Sequence, residues 1–169
     1  SVDPSAYTSL AAGTTEVIAY SYNVVNLTGE AVGQTATITI TGTNNGPVVG
    51  GAVDLGQILE DGSRLITEVE LLHHAADAEG DALQVENVAL TDSSQGTLQK
   101  TDDGWQFTPV AHFNGSVSLG YDVTDGTTSV STSASLNITA VNDVPDVSDA
   151  ITGAADDTGA IFTVDLLSG

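Results

Sequence analysis

The chain has 169 residues and a mass of 17.1 kDa, room for one domain or two small ones. Its 23 Asp and Glu stand against only Arg64 and Lys100, a formal net charge of −21, which excludes the clustered cations of a nucleic-acid binder and attraction to an anionic membrane surface. No apolar run approaches the ~18 residues of a membrane span, so direct membrane insertion is excluded, and a chain without cysteine has no disulfide framework, zinc ribbon or thiol chemistry.

Taken from the N-terminus, the first clear element is a strand in which Ala36, Ile38 and Ile40 alternate with Thr35, Thr37, Thr39 and Thr41, a period of two. Asp61-Gly62 marks a turn, and Thr67 with Glu70 has capping-box spacing ahead of Leu71-Leu72, which predicts a short helix. Leu83/Val85, Trp105/Phe107 and Leu136/Ile138 mark half-buried strands, and Val117, Leu119, Tyr121 and Val123 alternate with small or polar residues. Asp103-Gly104, Asn114-Gly115 and Asp125-Gly126 punctuate these runs. Several short strands with regular turn signals predict an all-β sandwich, with Trp105, Phe107 and Phe113 in its core.

The chain repeats itself once. Ala36-Thr-Ile-Thr-Ile-Thr-Gly-Thr-Asn-Asn-Gly-Pro-Val-Val49 aligns without a gap on Ala134-Ser-Leu-Asn-Ile-Thr-Ala-Val-Asn-Asp-Val-Pro-Asp-Val147, an offset of 98. Tyr22-Asn23-Val24 stands to Tyr121-Asp122-Val123 at an offset of 99. A period near 100 residues predicts arrayed modules of β-sandwich size. The boundaries expected are 1–46 as the C-terminal part of one module, 47–143 as a complete module, and 144–169 as the opening of the next. The two partial pieces hold 46 and 26 residues, and packing of the two against each other as a split domain would cover sticky strand edges such as 35–41.

The acidic clusters carry the chemistry. Asp77-Ala-Glu79-Gly-Asp81 sets three carboxylates at i, i+2 and i+4, which an extended or looping segment turns to one side. Such a group repels itself unless a cation sits among it, and Ca²⁺ takes six to eight such oxygens at ~2.3–2.6 Å. It is not an EF-hand, because Ala82 and Val88 stand where that loop requires Gly and Glu. His73-His74 and His112 lack the further His or Cys of a transition-metal site and are expected at the surface or a helix end.

These residues carry a family resemblance. Leu59-Glu-Asp-Gly62, Ile66-Thr-Glu-Val-Glu-Leu-Leu72 and Ala76-Asp-Ala-Glu-Gly-Asp-Ala-Leu83 resemble the opening of the cadherin-like tandem modules of giant RTX adhesins. Gly104-Trp-Gln-Phe-Thr-Pro109, Phe113-Asn-Gly115, Tyr121-Asp-Val-Thr-Asp-Gly126 and Val141-Asn-Asp-Val-Pro145 continue the likeness in order. Asp3-Pro-Ser-Ala-Tyr7, Ser9-Leu-Ala-Ala-Gly13 and Ile38-Thr-Ile-Thr-Gly-Thr-Asn44 resemble the closing half of the related VCBS repeat.

The resemblance implies an Ig/cadherin-like Greek-key β-sandwich in a long, extracellular, bacterial cell-surface adhesin exported by type I secretion. Its modules would be non-catalytic extenders, monomeric within a tandem array, whose partners are the neighbouring modules of the same polypeptide. Carried over position by position, Glu60, Asp61, Asp77, Glu79 and Asp81 would hold Ca²⁺ within or at the edge of the complete module, and Asn142 and Asp143 would be linker ligands. The first linker departs from the pattern: Asn45 stands where the second linker has Asp143, which implies a weaker or absent cation there, with Asp54 as a candidate to compensate. Asp165, in Val164-Asp-Leu-Leu167, is the matching candidate beyond the second linker. The alternative is a ligand-binding, lectin-like or cell-contacting module using the same Ca²⁺ through an open coordination position. A glycosidase would need an aromatic-lined cleft, and one Trp and four scattered Tyr do not suggest one.

Overall fold

The computed structural model describes residues 2–143, so Asp165 and the expected third segment, with its split packing, lie outside the described residues. The elements in chain order are β1 (Thr15–Val25), β2 (Ala31–Thr41), β3 (Val48–Val49), β4 (Val53–Leu59), β5 (Arg64–Ile66), helix α1 (Glu68–Leu71), β6 (Ala75–Ala76), β7 (Gln84–Leu90), β8 (Gly96–Thr101), β9 (Gly104–Pro109), β10 (Gly115–Thr124) and β11 (Ser129–Thr139). A 3-10 turn over Pro4–Tyr7 precedes them, capped by the Asp3 side chain.

Two layers make the sandwich. One sheet has the order β4-β11-β10-β7 and the other β5-β9-β8. All pairings in the two layers are antiparallel except that of β4 with β11, which is parallel. The inward face of β10 and β11 is the period-two set read from the sequence, Val117, Leu119, Tyr121 and Val123 with Leu136 and Ile138, extended by Ala134, and all are buried. They meet Ile66, Trp105 and Phe107 of the other layer together with Val53, Leu55, Leu71 and Val85 in one core. Phe107 and Ile66 are fully buried, and each such side chain contributes about 1.5–3 kcal/mol relative to exposure. Phe113 is half-buried and packs against this core from its edge.

The expected helix is a single turn. Thr67 Oγ1 accepts from the Glu70 amide, and the Glu70 carboxylate accepts the Thr67 amide at 2.8 Å, closing the capping box. Leu71 is the residue this turn buries, and Tyr121 Oη donates to its carbonyl oxygen at 2.8 Å.

Strands β1 and β2 form a separate ribbon, and its register repeats that of β10 and β11 residue for residue. Ile18 opposes Ile38 as Val117 opposes Leu136, Tyr20 opposes Ala36 as Leu119 opposes Ala134, and Tyr22 opposes Gln34 as Tyr121 opposes Thr132. The change of offset from 99 to 98 falls in the loops, because residues 26–30 connect the first pair and 125–128 the second. The face that is buried in the sandwich is exposed in the ribbon, where Tyr20, Tyr22, Val24 and Ile38 lie open.

Candidate metal centre

Strand directions set two poles. The 125–128 loop and the segment leading into β7 lie at one end of the four-stranded sheet, since Thr124 opposes both Ser129 and Gln84. Residues 44–46 enter there, so this is the entry pole. Ile138 and Thr139 oppose Ile58 and Leu59 at the other end, where the chain leaves through Val141-Asn142-Asp143. Strand β11 is 11 residues long, which separates the poles by roughly 35 Å.

Asp77, Glu79 and Asp81 gather at the entry pole. Their carboxylate oxygens lie within 4.8 Å of one another. Asp77 shapes the loop: its Oδ1 accepts the amides of Glu79 at 2.9 Å and Asp81 at 3.1 Å. Gly80, with φ of 81°, supplies the left-handed step that turns the chain between those two amides. Asp77 Oδ2 is buried and accepts no hydrogen bond. A buried, unpartnered carboxylate oxygen beside two more carboxylates suits a hard divalent cation and is costly without one.

The first linker docks on this pole. Asn45 donates its amide to Glu79 Oε2 at 3.2 Å and its carboxamide to Glu79 Oε1. Asn44 Nδ2 donates to Asp125 Oδ2 at 2.8 Å. Asp125 also accepts the amides of Thr127 and Thr128 at 2.7 Å. The Thr128 amide, then the Asn44 carboxamide and the Thr127 amide, hold the Asp125 carboxyl far below the usual carboxylate range.

Glu60 and Asp61 do not join the Asp77 cluster. They sit at the exit pole, where Glu60 is 5% exposed and its Oε1 accepts the Val141 amide at 2.7 Å, while Asp61 is exposed. Asn142 and Asp143, next in the chain after Val141, are exposed, and Asp143 Oδ2 lies 2.7 Å from His112 Nδ1. The five carboxylates grouped in the sequence reading therefore divide between two ends of the module. Asp54 belongs to neither. It opposes Ser135 in mid-strand, and its Oδ1 accepts the Gly56 amide at 2.8 Å. It borders an open cavity of about 240 Å³ with Glu70, His73 and His74. Asn44 and Asp125 add a contact that no sequence motif marks: they are 81 residues apart and meet because the sheet order brings the 125–128 loop to the linker.

A family model described as a cadherin-like domain matches residues 43–139. Comparison with curated proteins gives no match. Among solved structures, the chain is similar to the endo-fucoidan hydrolase MfFcnA4 of glycoside hydrolase family 107, at 22% identity and a TM-score of 0.44, over 79% of this chain and 20% of that one. It is also similar to the extracellular cadherin domains 1–5 of protocadherin gamma B2, at 13% identity and a TM-score of 0.37, over 77% of this chain and 33% of that one. The chain thus spans about a fifth of the length of the hydrolase it matches. No helix among the described residues is long and apolar enough to cross a membrane. The sandwich, the family match over more than half its length and the acidic entry pole agree: the chain belongs to the cadherin-like domain family.

Proposed function

We propose that this chain is a Ca²⁺-stabilised, non-catalytic extender region of a large bacterial surface adhesin, built from β-sandwich modules that hold ligand-binding domains away from the cell. The observation that carries the reading is Asp77 Oδ2, buried and without a hydrogen bond, among carboxylate oxygens 4.8 Å apart or less at the pole where the linker docks. Asp77, Glu79 and Asp81 would hold the ion there. At the exit pole, Glu60, Asp61, Asn142 and Asp143 would supply the base for a second ion shared with the following module.

The physics of the role is charge and freedom. A chain of net charge −21 repels itself, and an acidic hinge without a cation samples many angles. A bound divalent ion would offset most of the charge of a three-carboxylate cluster and tie its oxygens into one shell, and an ion shared between modules, as at the exit pole, would stiffen the rod. Export follows from the same linkage, since binding energy that becomes folding energy lets the chain thread out where Ca²⁺ is scarce and fold where it is abundant. An extender would bury its ion among protein oxygens; around Asp77 two backbone amides fix Oδ1, which leaves the buried Oδ2 as the oxygen free to meet a cation.

Calorimetric titration of the chain with Ca²⁺ tests this. The expected result is saturable binding that Asp77→Asn weakens at least tenfold while Asp54→Asn leaves it unchanged. Equal affinity in all three proteins would remove the Asp77 cluster as the site.

A further inference from the structure

We infer that the first linker is an amide clamp: Asn45 and Asn44 join the β1–β2 ribbon to the sandwich by direct hydrogen bonds, with no cation shared across the joint. The inference rests on the extender reading for its setting, but its chemistry stands on the hydrogen bonds that Asn44 and Asn45 donate to Asp125, Glu79 and Thr8. Asn45 Nδ2 has two protons, and each has a partner on a different body. One goes to the Thr8 carbonyl oxygen at 3.1 Å, on the segment that leads into the ribbon. The other goes to Glu79 Oε1 on the sandwich. A single carboxamide thus ties oxygens of both bodies together, the task a bridging cation performs in an acidic hinge.

The surroundings close around this contact. Gly42 hydrogen-bonds both ways with the segment before β1, its amide to Thr14 O at 2.8 Å and its carbonyl from Gly13 N at 3.0 Å. A Cβ on Gly42 would come within 2.2 Å of Leu10 O, so the linker lies tightly against that segment. On the sandwich side a Cβ on Gly46 would come within 2.5 Å of Thr128 Oγ1, and Asn44 grips Asp125 in the same loop. The linker is therefore seated on both bodies, with Asn45 as the donor between them.

Residue type decides the chemistry. An Asp at 45 has no proton to give and would set a carboxylate against both Glu79 and a carbonyl oxygen, a contact that repels unless a cation enters it. The second linker, Asn142-Asp143, has that carboxylate. The two junctions of one chain therefore differ in kind: the first is set by neutral donors, and the second carries the charge that calls for an ion.

The absence of cysteine allows clean spin-labelling of the whole chain at Ser21→Cys and Thr97→Cys, two exposed sites on either side of the joint. The clamp predicts one narrow interlabel distance that is the same with Ca²⁺ and with EDTA. It predicts loss of that narrow distance in Asn44→Ala/Asn45→Ala, and in Asn45→Asp with EDTA. A wild-type distance that broadens in EDTA would overturn the clamp, as would a narrow distance retained by the double alanine variant. Melting of the sandwich in the same samples reports the Ca²⁺ reading separately. A melt indifferent to EDTA beside a narrow wild-type distance supports the clamp and counts against Ca²⁺ as the stabiliser.

Discussion

Glu60 and Val141 tie the chain following β4 to the chain following β11 at the exit pole: the buried Glu60 carboxylate accepts the Val141 amide at 2.7 Å across a separation of 81 residues. Glu60 N in turn donates to Thr139 O at 3.0 Å, extending the parallel pairing of β4 with β11 past its last register position. Removing the acceptor strands a backbone amide at the exit pole. Glu60→Ala should cost about 1–3 kcal/mol in a urea melt, and Glu60→Gln, which keeps an acceptor oxygen, clearly less. Equal losses in the two would assign the effect to packing.

Tyr121 and Leu71 make the corresponding link inside the core. Tyr121→Phe leaves the Leu71 carbonyl without its donor and should cost about 1–2 kcal/mol. Burial pushes the Tyr121 phenol above its ordinary value. A raised phenol pKa means stability that is complete below the unfolded value near 10 and declines as pH rises toward the folded value. The alkaline loss should be absent from Tyr121→Phe, which unfolding midpoints measured from pH 8 upward would show.

Glu70 sets an acid-side dependence. Burial raises its pKa, but the Thr67 amide and hydroxyl and the Arg64 guanidinium, 2.7 Å away, outweigh that and lower it overall. A lowered carboxyl pKa contributes stability above the ordinary glutamate range that is lost as pH falls through the folded value. Glu70→Gln should therefore shorten the acid limb of the stability curve and cost about 1 kcal/mol at neutral pH through the weakened cap. An acid limb identical to wild type would place the effect elsewhere.

Gly104 is the tightest backbone position in the second sheet. Its φ is 142°, and a Cβ there would lie 2.2 Å from Ile66 O, across the β5–β9 pairing. Gly104→Ala should cost about 2–4 kcal/mol, visible as a lower urea midpoint. A change under about 0.5 kcal/mol would mean that this pairing yields without penalty.

Asp81 should show a change of sign. It is exposed, and its carboxylate lies within 4.8 Å of those of Asp77 and Glu79, a separation at which like charges repel by on the order of 1 kcal/mol in water. Asp81→Asn should raise the melting temperature slightly in EDTA and lower it in Ca²⁺. A shift of the same sign in both conditions would show that this carboxylate does not contribute to holding an ion.

Much of this was legible because it is local. The period-two run from Val117 to Val123 gave the inward face of β10, and Thr67 with Glu70 gave the capping box, since both patterns are complete within a few residues. The clustering of Asp77, Glu79 and Asp81 needed only their spacing and one glycine turn. The division of Glu60 from that cluster was not legible, because it depends on β4 running parallel to β11 and so carrying Glu60 to the far end of the sheet. The grip of Asn44 on Asp125 was hidden for the same reason, joining residues 81 apart through a loop that only the sheet order brings to the linker. The ribbon's exposed face shows the complementary failure: its alternation predicts a half-buried strand, but alternation does not say what covers it.

The most direct test of the account is the thermal melt of the chain in excess Ca²⁺, in EDTA, and in EDTA with Mg²⁺ added back. Ion at 100 times its dissociation constant stabilises by about 2.7 kcal/mol, which for a domain of this size is a rise of about 10 °C or more. The account predicts that rise with Ca²⁺, its loss in EDTA, and no recovery with Mg²⁺. Superimposable melts in all three conditions would contradict it and leave Asp77, Glu79 and Asp81 as a solvated acidic turn.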